Sequence, residues 1–111
     1  MKQVRVKKSN GVGNRNYVRG RAREYGVKRK LLAMGALWVV RSYASKGLFD
    51  LTAVFPDHVR LIQVKKSYIN PREKAQLEDF AMKVTHPSIF VELWISNNRR
   101  YRVVRLRGGS H

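Results

Sequence analysis

A chain of 111 residues is long enough for one compact domain and too short for two. Its 24 Lys and Arg against 7 Asp and Glu give a formal charge of +17, a field that gathers polyanions. Nucleic acid leads among these, because each neutralised phosphate releases counterions. At 43% hydrophobic residues the chain can bury a core, which excludes a disordered basic tail. It has no cysteine, and so no disulfide, thiol nucleophile or Cys-type zinc site. No window approaches the ~18 apolar residues of a membrane span, and no signal peptide precedes the basic start, so a cytoplasmic or nucleoid setting is expected. An anionic membrane surface and a ribosomal role are the rival readings of the charge.

Residues 1–19, MKQVRVKKSNGVGNRNYVR, are basic and rich in Gly and Asn, without a helical or strand period. They read as a flexible arm that tracks phosphates, or as a short edge strand at QVRV. The GVG is no nucleotide loop, since GxxxxGK(S/T) is missing. Residues 20–34 turn helical, with Ala22, Tyr25, Leu31 and Leu32 as the apolar stripe and Gly35 as the stop. ALWVVRSY (36–43) reads as a strand.

Two further strands, LFDLTAVF and HVRLIQVK, flank the turn pair Pro56 and Asp57. A turn at these two residues sets Asp50 opposite Gln63, with Lys65 on the same face of the sheet as Gln63. Residues 71–84 form a second helix with Asn70 as cap, Pro71 in the first turn and Leu77, Phe80, Ala81 and Val84 as its core stripe. SIFVELWI and YRVVRL then make a hairpin around Asn97 and Asn98. The closing GGSH (108–111) reads as an expression-tag scar, leaving 20–107 as the folded domain. The order helix, three strands, helix, two strands predicts an α+β or α/β domain with a mixed sheet.

In so basic a chain each acid needs a reason. Asp57 suits a turn, and Glu73 suits the positive end of a helix dipole. Glu78 and Asp79 suit a solvated helix face, while Glu92 faces either solvent or a basic partner. Glu24 and Asp50 remain. Glu24 pairs with Lys28 one turn on, serves a site, or does both. Asp50, flanked by Phe49 and Leu51, requires a partner if buried: a salt bridge to Lys65 or an Arg, or a hard cation. Mg²⁺ takes oxygen donors, and the Gln63 amide and Val64 carbonyl lie close by in the same hairpin. The three histidines, His58, His86 and His111, have no metal-ligand spacing, which disfavours zinc and histidine acid–base chemistry.

Asp50, twelve residues, then Gln63-Val64-Lys65 resembles the PD-(D/E)xK nuclease core, with glutamine in place of the acid. RGRAREYGVKRKLLAMG followed by WVVRSYASK is similar to the opening of the archaeal Holliday junction resolvase (Hjc) family. YINPREKAQLEDFA is similar to that family's segment between ExK and its second long helix, and the likeness runs from about Arg19 to Ile95. The resemblance implies a restriction-endonuclease-like α/β fold with a mixed central sheet flanked by helices. It implies Mg²⁺, with Mn²⁺ as a substitute, and paired nicks in a four-way DNA junction that leave 5′-phosphate and 3′-hydroxyl ends. It also implies a homodimer and an archaeal or viral source, with host cytoplasm as the setting if viral.

Carried over by residue, Glu24 matches the helix glutamate, Asp50 the metal-binding aspartate, Gln63 the first position of ExK and Lys65 its lysine. Ser45 matches the loop serine at the scissile phosphate, with Ser42 nearby. Asp50, Gln63 and the Val64 carbonyl would hold the ion, with Glu24 acting through a water or on a second ion. Gln63 removes one negative charge from that set.

Arg5, Lys7, Lys8, Arg15, Arg19, Arg21 and Arg23, with Arg41, Ser42, Lys46 and Lys66, would grip DNA phosphates, contacts that position without reading sequence. Arg99, Arg100, Arg102 and Arg105 extend that surface or keep the chain soluble. Two symmetric nicks need two sites, hence an isologous dimer. Phe90, Leu93 and Trp94 or the second helix are interface candidates that read equally as core. The alternatives are a nuclease of the same fold acting on flaps, ends or restriction sites, and a non-catalytic nucleic-acid-binding module.

Overall fold

The computed structural model describes residues 12–42, 47–98 and 100–108, with side chains from Arg21 onward. Its elements are α1 (Val12–Ala33), β1 (Trp38–Arg41), β2 (Leu51–Val54), β3 (Val59–Lys66), α2 (Pro71–Lys83), β4 (Ile89–Asn97) and β5 (Arg100–Arg107). The strands lie side by side in chain order, β1 to β5. Each neighbouring pair is antiparallel except β3 and β4, which are parallel because α2 carries the chain back between them. The expected helix and strand order and the mixed α/β sheet are both present.

Alternation along the strands sorts the apolar residues onto two faces. Leu51, Ala53, Phe55, Ile62, Val64 and Trp94 meet Val39 and the helix residues Val27 and Leu31 on one face. Leu93 and Ile95 meet Leu77 of α2 on the other, with Leu48, Phe49, Ile69, Val104 and Leu106 around them. The turn at Pro56 and Asp57 sets the predicted register, since Leu51 pairs with Ile62 and Val54 with Val59.

Several expectations change. The helix does not start at Gly20: α1 begins at Val12, so the stretch expected as an arm is helical over 12–19. Gly13, Asn14 and Asn16 have poor helix propensity, but extending a helix already held by packing costs far less than nucleating one. The inward stripe is Val27 and Leu31, both fully buried, whereas Tyr25 and Leu32 are 38% and 44% exposed and Ala22 is exposed. At the helix end Ala36 N–H donates to Leu31 O (3.0 Å) and Gly35 N–H to Leu32 O (3.1 Å), with Gly35 at φ +111°. That is a Schellman closure, and its left-handed residue is the predicted stop glycine.

Asn70 caps α2 as expected, its Oδ1 accepting the Glu73 N–H at 2.8 Å. Leu77 and Ala81 are buried, while Phe80 stays half out and sets its edge against Phe49, ring centroids 5.1 Å apart. The β4–β5 turn falls one residue later than expected: Asn97 pairs with Arg100, and Asn98 takes φ +51°, which asparagine tolerates better than most residues. Phe90, Leu93 and Trp94 are core, at most 9% exposed. Glu92 is wholly buried in the α1 face of the sheet, between basic partners instead of solvent. Among the described residues no helix is long and apolar enough to cross a membrane.

Candidate active site

β2 starts at Leu51, so Asp50 stands just outside its end while still pinned by backbone bonds. Its N–H donates to Ile62 O (2.9 Å), and its carbonyl accepts the Ser42 N–H (2.8 Å). Beyond this point β3 has lost its β2 partner and pairs with β4 alone. The Asp50 side chain takes over, Oδ2 accepting the Val64 N–H at 2.8 Å. In an extended strand a residue's N–H and C=O leave by the same edge, so the Val64 carbonyl is directed into the same gap.

The β2–β3 register, with Leu51 paired to Ile62, brings Asp50 to the level of Gln63, as the turn predicted. Gln63 is 9% exposed, and its Oε1 is buried without a hydrogen-bond partner. An unsatisfied amide oxygen costs about 1–3 kcal/mol, so it calls for a donor or a cation. Gln63 also lines a cavity of about 430 Å³, together with Gly47, Leu48, Glu73 and Gln76. Lys65, two residues on, sends its Nζ to Glu73 Oε2 at 2.9 Å rather than to Asp50, which sets aside the direct Asp50–Lys65 salt bridge.

Glu24 sits one turn before Val27 on the inward side of α1. Its partner is Arg41, at the end of β1, with Nη1 3.1 Å from Oε1; the alternative pairing with Lys28 gives way to this contact. Burial raises the Asp50 carboxyl above its ordinary range, and the nearby charges of Glu24 and Glu73 push the same way. The Val64 N–H bond and Lys65 oppose the rise without cancelling it.

Glu24, Asp50, Gln63, Val64 and Lys65 therefore gather at one end of the sheet, where β1 and β3 finish and β2 begins. Among the described residues no three His, Asp or Glu side chains form a ready cage for a metal. The oxygen donors nearest that role are the Asp50 carboxylate, the Gln63 amide and the Val64 carbonyl. The donor set fits a hard cation, because one carboxylate is raised by burial and one amide oxygen has no partner.

Ser42 is spent on the loop, its Oγ donating to Phe49 O at 2.7 Å. Ser45 and Lys46 lie outside the described residues, as do Arg5, Lys7 and Lys8; Arg15 and Arg19 fall within α1, their side chains outside the described set. Arg23 and Lys66 do come together, lining a cleft of about 330 Å³ with Ser67, Ser96, Asn97 and Asn98 where β3 and β4 end. Arg21 donates to the Tyr25 hydroxyl at 3.3 Å, and Arg41 lies 5.9 Å from the same ring. Arg105 stays exposed at 39%, as expected of a surface residue, and also clamps Glu92.

The residue that sequence reasoning missed is Glu73, which looked sufficiently explained by the helix dipole. Its signal was the spacing Asn70-x-x-Glu73, in which Asn70 caps the Glu73 N–H and its Nδ2 also donates to the Glu73 carboxylate at the start of α2. No family model matches the chain, and a search of curated proteins finds no match either.

Proposed function

We propose that this chain is a divalent-metal-dependent endonuclease of restriction-endonuclease-like fold that acts on branched DNA, with four-way junctions as substrate. The observation that carries the reading is the buried, unpartnered Gln63 Oε1, at the same end of the sheet as a carboxylate, Asp50, that burial destabilises. A cation between them would satisfy both. The resemblance to the Hjc family supports the choice of substrate, and the +17 charge supports a polyanion.

Asp50, the Gln63 amide and the Val64 carbonyl would hold the ion. When bound, it supplies Lewis acidity toward the phosphate and lowers the pKa of a water. Lys65 then donates to the attacking water or to the phosphate oxygen that gains charge. Glu24, paired with Arg41, adds its negative charge near Asp50. Arg23 and Lys66 hold the backbone of a neighbouring strand in their cleft.

Two symmetric nicks need two copies, and one face of the sheet suits a second copy of this chain. On the side opposite α1, Trp38 and Val40 of edge strand β1 are 65% and 39% exposed, beside their pair partners Val54 and Thr52. These four positions carry no charge, and two copies of a strongly basic chain repel across most other surfaces.

The test mixes the protein with a labelled four-way junction and a linear duplex of the same sequence, in Mg²⁺ and in EDTA, beside Asp50→Asn. Paired nicks in the junction alone, lost with EDTA and in the variant, are expected. Cleavage of both substrates would assign a nuclease of other specificity. Tight binding without cleavage in Mg²⁺ or Mn²⁺ would assign a binding module.

A further inference from the structure

Resting on that metal-site reading, we propose that Glu73 supplies the second carboxylate of the site, replacing the charge that Gln63 lacks. Glu73 lies ten residues after Gln63, on another element, yet both line the same 430 Å³ cavity. Its carboxylate is built in place from two sides. Asn70 Nδ2 donates to Oε1 at 3.1 Å while Asn70 Oδ1 takes the Glu73 N–H, two contacts that leave few rotamers open. Oε2 is left for Lys65, at 2.9 Å. The same cavity is lined by Gln63, nine-tenths buried, whose amide oxygen has no partner.

Charge balance gives the reason for a second carboxylate here. Glu24 is matched by Arg41, and Lys65 offsets one further acid. With Asp50 alone the site would be neutral toward a divalent ion, inside a chain whose overall field repels cations. Glu73 tips it negative. Lys65 holds the Glu73 carboxylate until an ion enters, then turns toward the phosphate.

The experiment is Mn²⁺ titration by calorimetry, with metal-dependent thermal shift as a second readout, on the wild type and on Asp50→Asn, Glu73→Gln, Gln63→Glu and the Glu73→Gln/Gln63→Glu pair. Glutamine at position 73 keeps the backbone N–H that Asn70 caps, and its one oxygen can accept from Lys65 while the charge is lost, and the unfolding temperature without metal checks the fold. The expected result is a loss of affinity of about tenfold or more in Glu73→Gln, with recovery in the double variant. A Glu73→Gln protein that binds Mn²⁺ within twofold of wild type, while Asp50→Asn does not, would overturn the role of Glu73 and leave the metal site standing. Equal gains from Gln63→Glu in both backgrounds would overturn it too, since the carboxylates would then not substitute for one another. Absence of Mn²⁺ binding by the wild type would remove the metal site and this inference together.

Discussion

Asp50 Oδ2 accepts the Val64 N–H at 2.8 Å, so a side chain continues the β2–β3 ladder one step beyond the last backbone pair. The bond holds the carboxylate over the open end of the sheet, at the expense of its hydration. Because burial raises the Asp50 carboxyl above its ordinary 3.8, the folded chain binds this proton more tightly than the unfolded chain does. Stability contributed by Asp50 is therefore full below about pH 3.8 and falls as pH rises through the raised value. At neutral pH the charged side chain is a net burden. Asparagine keeps the acceptor for Val64 and removes the charge. Asp50→Asn should accordingly raise the metal-free unfolding temperature at pH 7. The difference should close toward pH 4, and Mg²⁺ should raise the midpoint of the wild type alone. Thermal scans from pH 4 to 8 check both, and a variant less stable than wild type at pH 7 would contradict the account.

Glu92 presents the opposite case, a buried charge fully matched. Its Oε2 receives Nε and Nη2 of Arg105, both at 2.8 Å, with Arg60 Nη1 at 3.5 Å, and Oε1 receives Trp94 Nε1 at 3.0 Å. Truncation would strand Arg60, whose side chain is 12% exposed, beside the 39% exposed Arg105. Glu92→Ala should cost about 3–5 kcal/mol in urea unfolding, the range for breaking one side of a buried pair. Arg105→Ala should cost roughly 1–2 kcal/mol, because Arg60 and Trp94 remain to satisfy the carboxylate. Equal losses from the two substitutions would mean that Arg60 takes no part.

These two acids show how far the sequence could be read. The position of Asp50 opposite Gln63 was legible because a two-residue turn leaves a hairpin one natural register, and a period of two then assigns the faces. Glu92 had the same alternation, but whether its face met solvent or Arg105 depended on a hairpin whose turn lay one residue further on. Contacts between elements were less legible. Glu24 with Arg41 and Lys65 with Glu73 both join a helix to a strand across 17 and 8 residues, and no local spacing specifies how a helix is rotated on a sheet. The same rotation chose Val27 over Tyr25 for the core, although both are apolar and lie two residues apart.

The uncovered face of β1 makes a prediction about assembly. α2 crosses the sheet nearer β4 and β5, so nothing in the described chain shields Trp38, which is 65% exposed. Trp38→Lys would put a charge at the centre of the proposed contact between copies. Light scattering should find the wild type dimeric and this variant monomeric at micromolar concentration, with unfolding temperature and Mn²⁺ affinity little changed. The variant should then nick one strand of a junction without coordinating the second nick. A wild type that is monomeric at all concentrations would refute the assignment of this face.

The seating of α1, which carries Glu24, depends on a close approach at Gly26. A Cβ built there would stand 2.5 Å from the Tyr101 hydroxyl oxygen and 3.7 Å from Cζ. Tyr101 in turn packs on Trp94, ring centroids 5.8 Å apart, so it wedges between helix and sheet. Replacing glycine by alanine inside a helix gains about 1 kcal/mol from propensity alone. In the wild-type background that gain should be absorbed by displacement of the Tyr101 ring, leaving Gly26→Ala near neutral in urea unfolding. Tyr101→Phe deletes the clashing oxygen and leaves a contact of ordinary length. Gly26→Ala in that background should therefore stabilise by about 0.5–1 kcal/mol, a coupling that a double-mutant cycle resolves. Simple additivity would mean that the tyrosine hydroxyl moves aside at no cost, and that Gly26 does not set the distance between α1 and β5.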